Sequence, residues 1–167
     1  MARHTLENEY DFTFSLFGLI CNESEYKICA AISRQVTIEL VREKSIELKG
    51  KKKDEFFQFS VFGFREELSG NSFFLINNSS SNLLELSSGT RSTPQPGLFG
   101  SSEETSVRVR GKLIPEHQDI DYFLLLDGDF SKSDLTVFKQ KIQEIEIIVN
   151  CRQIEVDRLH SKNNLIF

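Results

Sequence analysis

The chain has 167 residues, of which 39% are hydrophobic and 27% charged, with a net charge of −5 and a pI of about 5.3. A single domain of this length buries roughly 70% of the surface its unfolded chain exposes, so neither disulfide nor metal is needed to hold it. The composition is too apolar for a disordered chain, and the acidic balance repels nucleic-acid phosphates and anionic membranes. Residues 1–11 lack the apolar stretch of a signal peptide and no window approaches the ~18 apolar residues of a membrane span, which predicts a cytosolic protein. Within the apolar set Phe is used 15 times against no Trp and one Met. That bias favours sheet packing over a cofactor pocket, and no cofactor is expected.

Taken in order, Phe12-Thr13-Phe14-Ser15-Leu16 alternates apolar with polar and predicts a first strand over 11–19. Asn22 followed by Glu25 has capping-box spacing and predicts a helix whose buried face carries Tyr26, Cys29 and Ala30, then Ser33 and Val36. Ile38 with Leu40 and Ile46 with Leu48 give two short extended pieces, split by Arg42, Glu43 and Lys44. Lys49–Lys53 reads as a solvated turn. Phe57, Phe59 and Val61 predict a strand, and the change of apolar phase to Phe62 and Phe64 suggests a bulge. Gly70-Asn71 turns the chain into a return strand, Ser72–Asn77.

From 78 to 106 the composition collapses into Ser, Asn, Gly, Thr and Pro, including Thr93-Pro94-Gln95-Pro96-Gly97, with Leu83, Leu84, Leu86, Leu98 and Phe99 as its apolar content. This is a long loop, of the kind that is either disordered or used for partner contact. Order returns over Val107–Ile114. Across Asp119–Asp127 the residues Ile120, Tyr122, Leu124 and Leu126 share one face and Phe123 and Leu125 the other, which marks a central strand. Ser131 with Asp134 caps a second helix, in which Leu135, Phe138, Ile142 and Ile145 form one side. Ile147–Cys151 forms a last strand. The succession strand, helix, hairpin, loop, strand, helix, strand is that of an α+β domain, 1–167. Its expected form is a ferredoxin-like split βαβ arrangement, an antiparallel sheet with two helices on one face.

Ile114-Pro115-Glu116, then three residues, then Ile120-Asp121-Tyr122, resembles the signature of an uncharacterised bacterial family named for its Ile-Pro-Glu-x-x-x-Val-Asp-Tyr motif, with Ile120 in place of Val. Glu9-Tyr10-Asp11-Phe12 and Ser161–Phe167 also resemble that family's ends, and the Ser-rich loop is its least typical part. The resemblance implies no activity, cofactor or substrate. Physically, Pro115 suits a turn or the end of an edge segment, and Glu116 is placed to accept from turn amides or from the Tyr122 hydroxyl.

Other constellations are thin. Cys21, Cys29 and Cys151 have no metal or disulfide spacing, and His4, His117 and His160 have no partner His at helical spacing. A Cys151 pair with His160 or His117 lacks a nucleophile signature. Asp127-Gly128-Asp129 with Asp119 and Asp121 starts like a calcium loop, but Ser131, Ser133 and Asp134 do not complete one. Lys49, Lys51, Lys52 and Lys53 form a basic run that a solvated turn explains. The leading expectation is a non-enzymatic cytosolic module that binds an unknown protein or itself through a sheet edge, the Ser-rich loop or the apolar tail Leu165-Ile166-Phe167. The alternatives are RNA binding through Phe62-Gly63-Phe64 on a Phe-rich sheet, or a small ligand-binding or enzyme domain using Glu116, His117, Asp121 and Tyr122.

Overall fold

A computed structural model describes residues 12–50, 55–84 and 107–167. The expectations placed on 1–11 (His4 and Glu9-Tyr10-Asp11), on Lys51–Lys53 and on the loop residues 85–106 lie outside the described residues. The chain is α+β, and its main sheet has six strands in the order β10-β1-β9-β6-β5-β2, every neighbouring pair antiparallel. These are β1 (Ser15–Ile20), β2 (Val41–Arg42), β5 (Val61–Arg65), β6 (Ser72–Asn77), β9 (Tyr122–Asp127) and β10 (Asn150–Ile154). Two ribbons complete it, β3 (Ile46–Lys49) with β4 (Phe56–Phe59), and β7 (Ser79–Leu84) with β8 (Val107–Lys112).

Helices α1 (Glu25–Val36) and α2 (Lys132–Gln143) cover one face of the sheet, as expected. Ile28, Cys29, Ile32 and Ile142 meet Phe17, Leu19, Leu75, Leu124 and Leu126 there in one apolar cluster. The opposite face is not open to solvent. Leu16, Phe74, Ile76, Phe123 and Leu125 pack against Ile46 and Phe59 of the β3–β4 ribbon, Leu113, Ile114 and Ile120, and Leu159 and Leu165 near the C-terminus. Both alternating sets of each inner strand are therefore apolar.

Several expected boundaries move. The cap of α1 is Ser24, without a side-chain cap bond, rather than Asn22; the buried face is Ile28, Cys29 and Ile32, while Tyr26 is 66% exposed. Tyr26 instead sets its ring edge-on to Phe62 at 5.7 Å. For α2 the expected capping box is present: Ser131 Oγ accepts from the Asp134 amide at 3.2 Å and Asp134 Oδ2 from the Ser131 amide at 3.0 Å. The last strand lies three residues beyond the expected start, because Ile145 and Ile148 are buried in the turn after α2 and not on a strand. Residues 79–84, read as loop, form β7.

No bulge interrupts Val61–Phe64. Phe57, Phe59 and Val61 face the ribbon side and Phe62 and Phe64 the helix side in regular alternation, and the apolar phase changes because β5 has entered a sheet covered on both faces. The extra residue sits on the facing segment. Arg42 lies opposite Phe62 and Ile46 opposite Phe59, so four residues advance against three and the bulge falls within Glu43–Ser45.

Candidate functional site

The Ile114–Tyr122 motif folds as two consecutive tight turns. The His117 amide donates to Ile114 O at 3.2 Å across Pro115-Glu116, with Pro115 at the position where its fixed φ suits a turn. The Ile120 amide donates to His117 O at 3.3 Å to close the second.

What holds both turns is Asn78, which is fully buried. Its Nδ2 donates to His117 O and to Ile120 O, each at 2.9 Å, and its Oδ1 accepts from the Ile114 amide at 2.9 Å. Its backbone adds bonds to Asp121 O and from the Leu113 amide. Every hydrogen-bonding group of this residue except one lone pair per oxygen is thus used on the motif. Asn78 stands at the head of a Ser/Asn-rich run, so composition marks it as loop, and only the register that ends β6 beside β9 identifies its task.

The motif residues divide between the two faces. Ile114 and Ile120 are fully buried on the ribbon side, and Gly18 in β1 leaves the space that Ile120 occupies, since a Cβ there would collide with the Ile120 side chain. Tyr122 lies on the helix side, not with Ile120, because Ile120 belongs to the turn and the strand alternation starts only at Tyr122. Its hydroxyl donates to Glu23 O at 2.8 Å, not to Glu116, and burial pushes its pKa up to about 12. Asp121 Oδ2 accepts from the Cys21 amide at 2.9 Å, joining the motif to the end of β1. Glu116 Oε1 accepts from the Ser161 amide at 2.7 Å. Partial burial raises its carboxyl, but hydrogen bonds from its own amide, from Ser161 and from the His160 amide outweigh that and leave it below the usual Glu range. Asn164 Nδ2 donates to Leu113 O at 2.7 Å, so the C-terminal segment is fastened to the motif at two points.

That fastening settles the place of the tail. Leu165 is buried in the ribbon-side core, Ile166 is partly exposed, and the Phe167 ring stands edge-on to Phe74 at 5.4 Å.

Beside the motif runs an open groove lined by Glu116, His117, Arg152, Arg158, Leu159 and His160. Asp121 and Tyr122 are not among its lining residues. Its charges are internally paired: Arg152 Nη2 reaches both Asp119 oxygens at 2.9 and 2.7 Å and stands 3.4 Å from His117 Nδ1, while Arg158 Nε meets Glu155 at 2.5 Å. Arg152 belongs to β10, the outermost strand, and among the described residues no strand pairs with its outer side.

The amides along that edge can be assigned by alternation. Ile20 O accepts from the Val149 amide and Leu19 O from the Asp121 amide, so the even-numbered residues of β1 bond toward β10 and the odd-numbered ones toward β9. Gly18 and Leu16 lie opposite Arg152 and Ile154, which therefore bond inward. Cys151 and Gln153 direct their amides and carbonyls outward, and Cys151 O meets Gln143 Nε2 at 3.3 Å there.

The other constellations do not assemble. The three cysteines are buried and free, burial pushing the Cys151 thiol up to about 11 and raising those of Cys21 and Cys29. No group of three metal-ligating side chains forms among the described residues, and Asp134 serves the helix cap. Phe62 is 3% exposed and Phe64 partly buried on the helix side, so the two rings do not form an open stacking platform. Among the described residues no helix is long and apolar enough to cross a membrane. Comparison of the chain with protein-family models, curated proteins and solved structures finds no match.

Proposed function

We propose that this chain is a cytosolic protein-interaction module that receives an extended segment along the outer edge of β10. The carrying observation is the pair of outward-facing backbone units at Cys151 and Gln153, on a strand whose outer side has no partner among the described residues, bordered by the groove of His117, Arg152, Arg158 and His160. An added strand takes affinity from main-chain hydrogen bonds and specificity from alternate side chains that reach such a groove. The tail expected as a rival docking element is anchored to the protein's own fold at Leu165, which is buried, while the half-exposed Phe167 ring stands edge-on to Phe74. In the same proposal the inner order β10-β1-β9-β6, with α1 and α2 on one face, is a ferredoxin-like split βαβ unit enlarged by the ribbons, and the chain is a divergent relative of the family its Ile114–Tyr122 motif resembles.

A photo-reactive phenylalanine replacing Gln153 tests the proposal in cells. A protein adduct formed from position 153, and not from Val41 on the far edge, is the expected result. Equal labelling from both positions, or none from 153, defeats it.

A further inference from the structure

Resting on that reading, we infer that the segment received by β10 is β10 of a second copy of the same chain, paired antiparallel about a two-fold axis at Arg152. The two edges of the sheet differ in how they are protected. At the β2 edge the strand is two residues long, it runs into the bulge at Glu43–Ser45, and Arg42 is held by Glu25 at 3.1 Å. Short length, a bulge and bound charge are the devices that keep a sheet edge from pairing. The β10 edge has five regular residues, no Pro, no Lys and no bulge, and Val149 beside it is 73% exposed.

Geometry selects the register. Within β10 only Cys151 and Gln153 direct both amide and carbonyl outward; beyond its ends Val149 N is used on Ile20 O, and Glu155 O accepts from the Arg158 amide. Centring the axis on residue 152 pairs Cys151 of each copy with Gln153 of the other and uses both outward units of both strands. Cys151 O can accept the new bond on its second lone pair while Gln143 holds the first. A two-fold interface sets each surface patch against itself, so a charged patch must carry both signs. The β10 border does, in the Arg152–Asp119 and Arg158–Glu155 pairs. The pairing would bring two guanidinium groups together on the axis, and Asp119 neutralises each of them within its own copy.

Sedimentation of the purified chain over a wide concentration range tests this. The expected result is a reversible monomer–dimer equilibrium. Gln153→Pro, which removes an outward amide without touching the β1 ladder, raises the dissociation constant at least about tenfold. Asp119→Asn weakens the dimer at low salt and less so at high salt. The photo-reactive group at position 153 in the otherwise unaltered chain gives adducts that map 150–154 onto 150–154 of the second copy, which keeps the test intact should Gln153→Pro not fold. A dimer whose adducts map elsewhere, an adduct within one chain, or a monomer throughout overturns the inference. A monomer that still forms an adduct with another protein in cells leaves the edge as the docking site and removes only the second copy. A monomer with no adduct in cells removes both.

Discussion

Asn78 carries three side-chain hydrogen bonds to the two turns of the motif, all inside the core. Truncation to Ala leaves the buried Ile114 amide without a partner and takes one bond each from His117 O and Ile120 O, which keep the Ile120 amide and Lys112 Nζ; equilibrium denaturation should show a loss of about 2–3 kcal/mol. Asn78→Asp keeps the acceptor for Ile114 but turns a carboxylate oxygen toward the carbonyls of His117 and Ile120, so it should destabilise at least as much as Ala. A milder effect of Asp would show that the side chain is not the clamp. Gly18→Ala meets Ile120 and Ile154 in a filled core and should cost about 1–3 kcal/mol, with much of the loss recovered in combination with Ile120→Val. At this scale the motif's importance was legible and its mechanics only in part. Pro115 as a turn former and Glu116 as an acceptor of turn amides follow from their chemistry, whereas the partner of Tyr122 depends on where β1 ends, and nothing local to Tyr122 encodes that.

Among the elements, α2 was the most legible because Ser131 and Asp134 lie three residues apart and satisfy each other. Ser131→Ala should lower stability by about 1 kcal/mol and raise amide exchange in the first turn of α2 before the rest. The start of α1 was less legible, since its cap uses no side chain and its buried stripe is set by the sheet beneath it. The position of β10 was obscured for a related reason: Ile145 and Ile148 are apolar because a turn is buried, and a turn carries no period. In the Glu116–Ser161 link, the folded state holds the carboxyl below its ordinary value, so the stabilisation is present above the unfolded pKa of about 4.3. It is lost as pH falls through the lower folded value. Wild type and Glu116→Gln should therefore differ in midpoint at neutral pH and converge in acid; parallel curves would exclude the link from acid stability.

For the whole molecule, the two-sided core explains why alternation marked some strands as half-buried. Phe57 and Phe59 alternate with Gln58 because β4 lies on the ribbon side alone, while Tyr122–Leu126 is apolar throughout because β9 is covered above and below. The sequence pattern therefore reports layers as well as strands, and the second layer was missed because its pieces are short turns and ribbons without a period. Burial raises Tyr122 to about 12. Its neutral form supports the fold below the unfolded value of about 10, and that support is lost as pH rises through about 12. Ultraviolet titration should find one tyrosine ionising late, together with the onset of alkaline unfolding, and Tyr122→Phe should delay that onset.

The position of β1 has a consequence for synthesis. It is made before both of its partners, for its ladders run to Tyr122–Leu126 on one side and Asn150–Ile154 on the other. While the ribosome elongates, the β5–β6 hairpin can close on its own, but β1 waits with both backbone margins bare and an apolar stretch exposed. Non-local closure of this kind folds slowly, and the nascent polypeptide is vulnerable to aggregation until β9 and β10 have emerged. Yield on overexpression should accordingly respond to holdase supply and to slower translation more than to the stability of the finished fold.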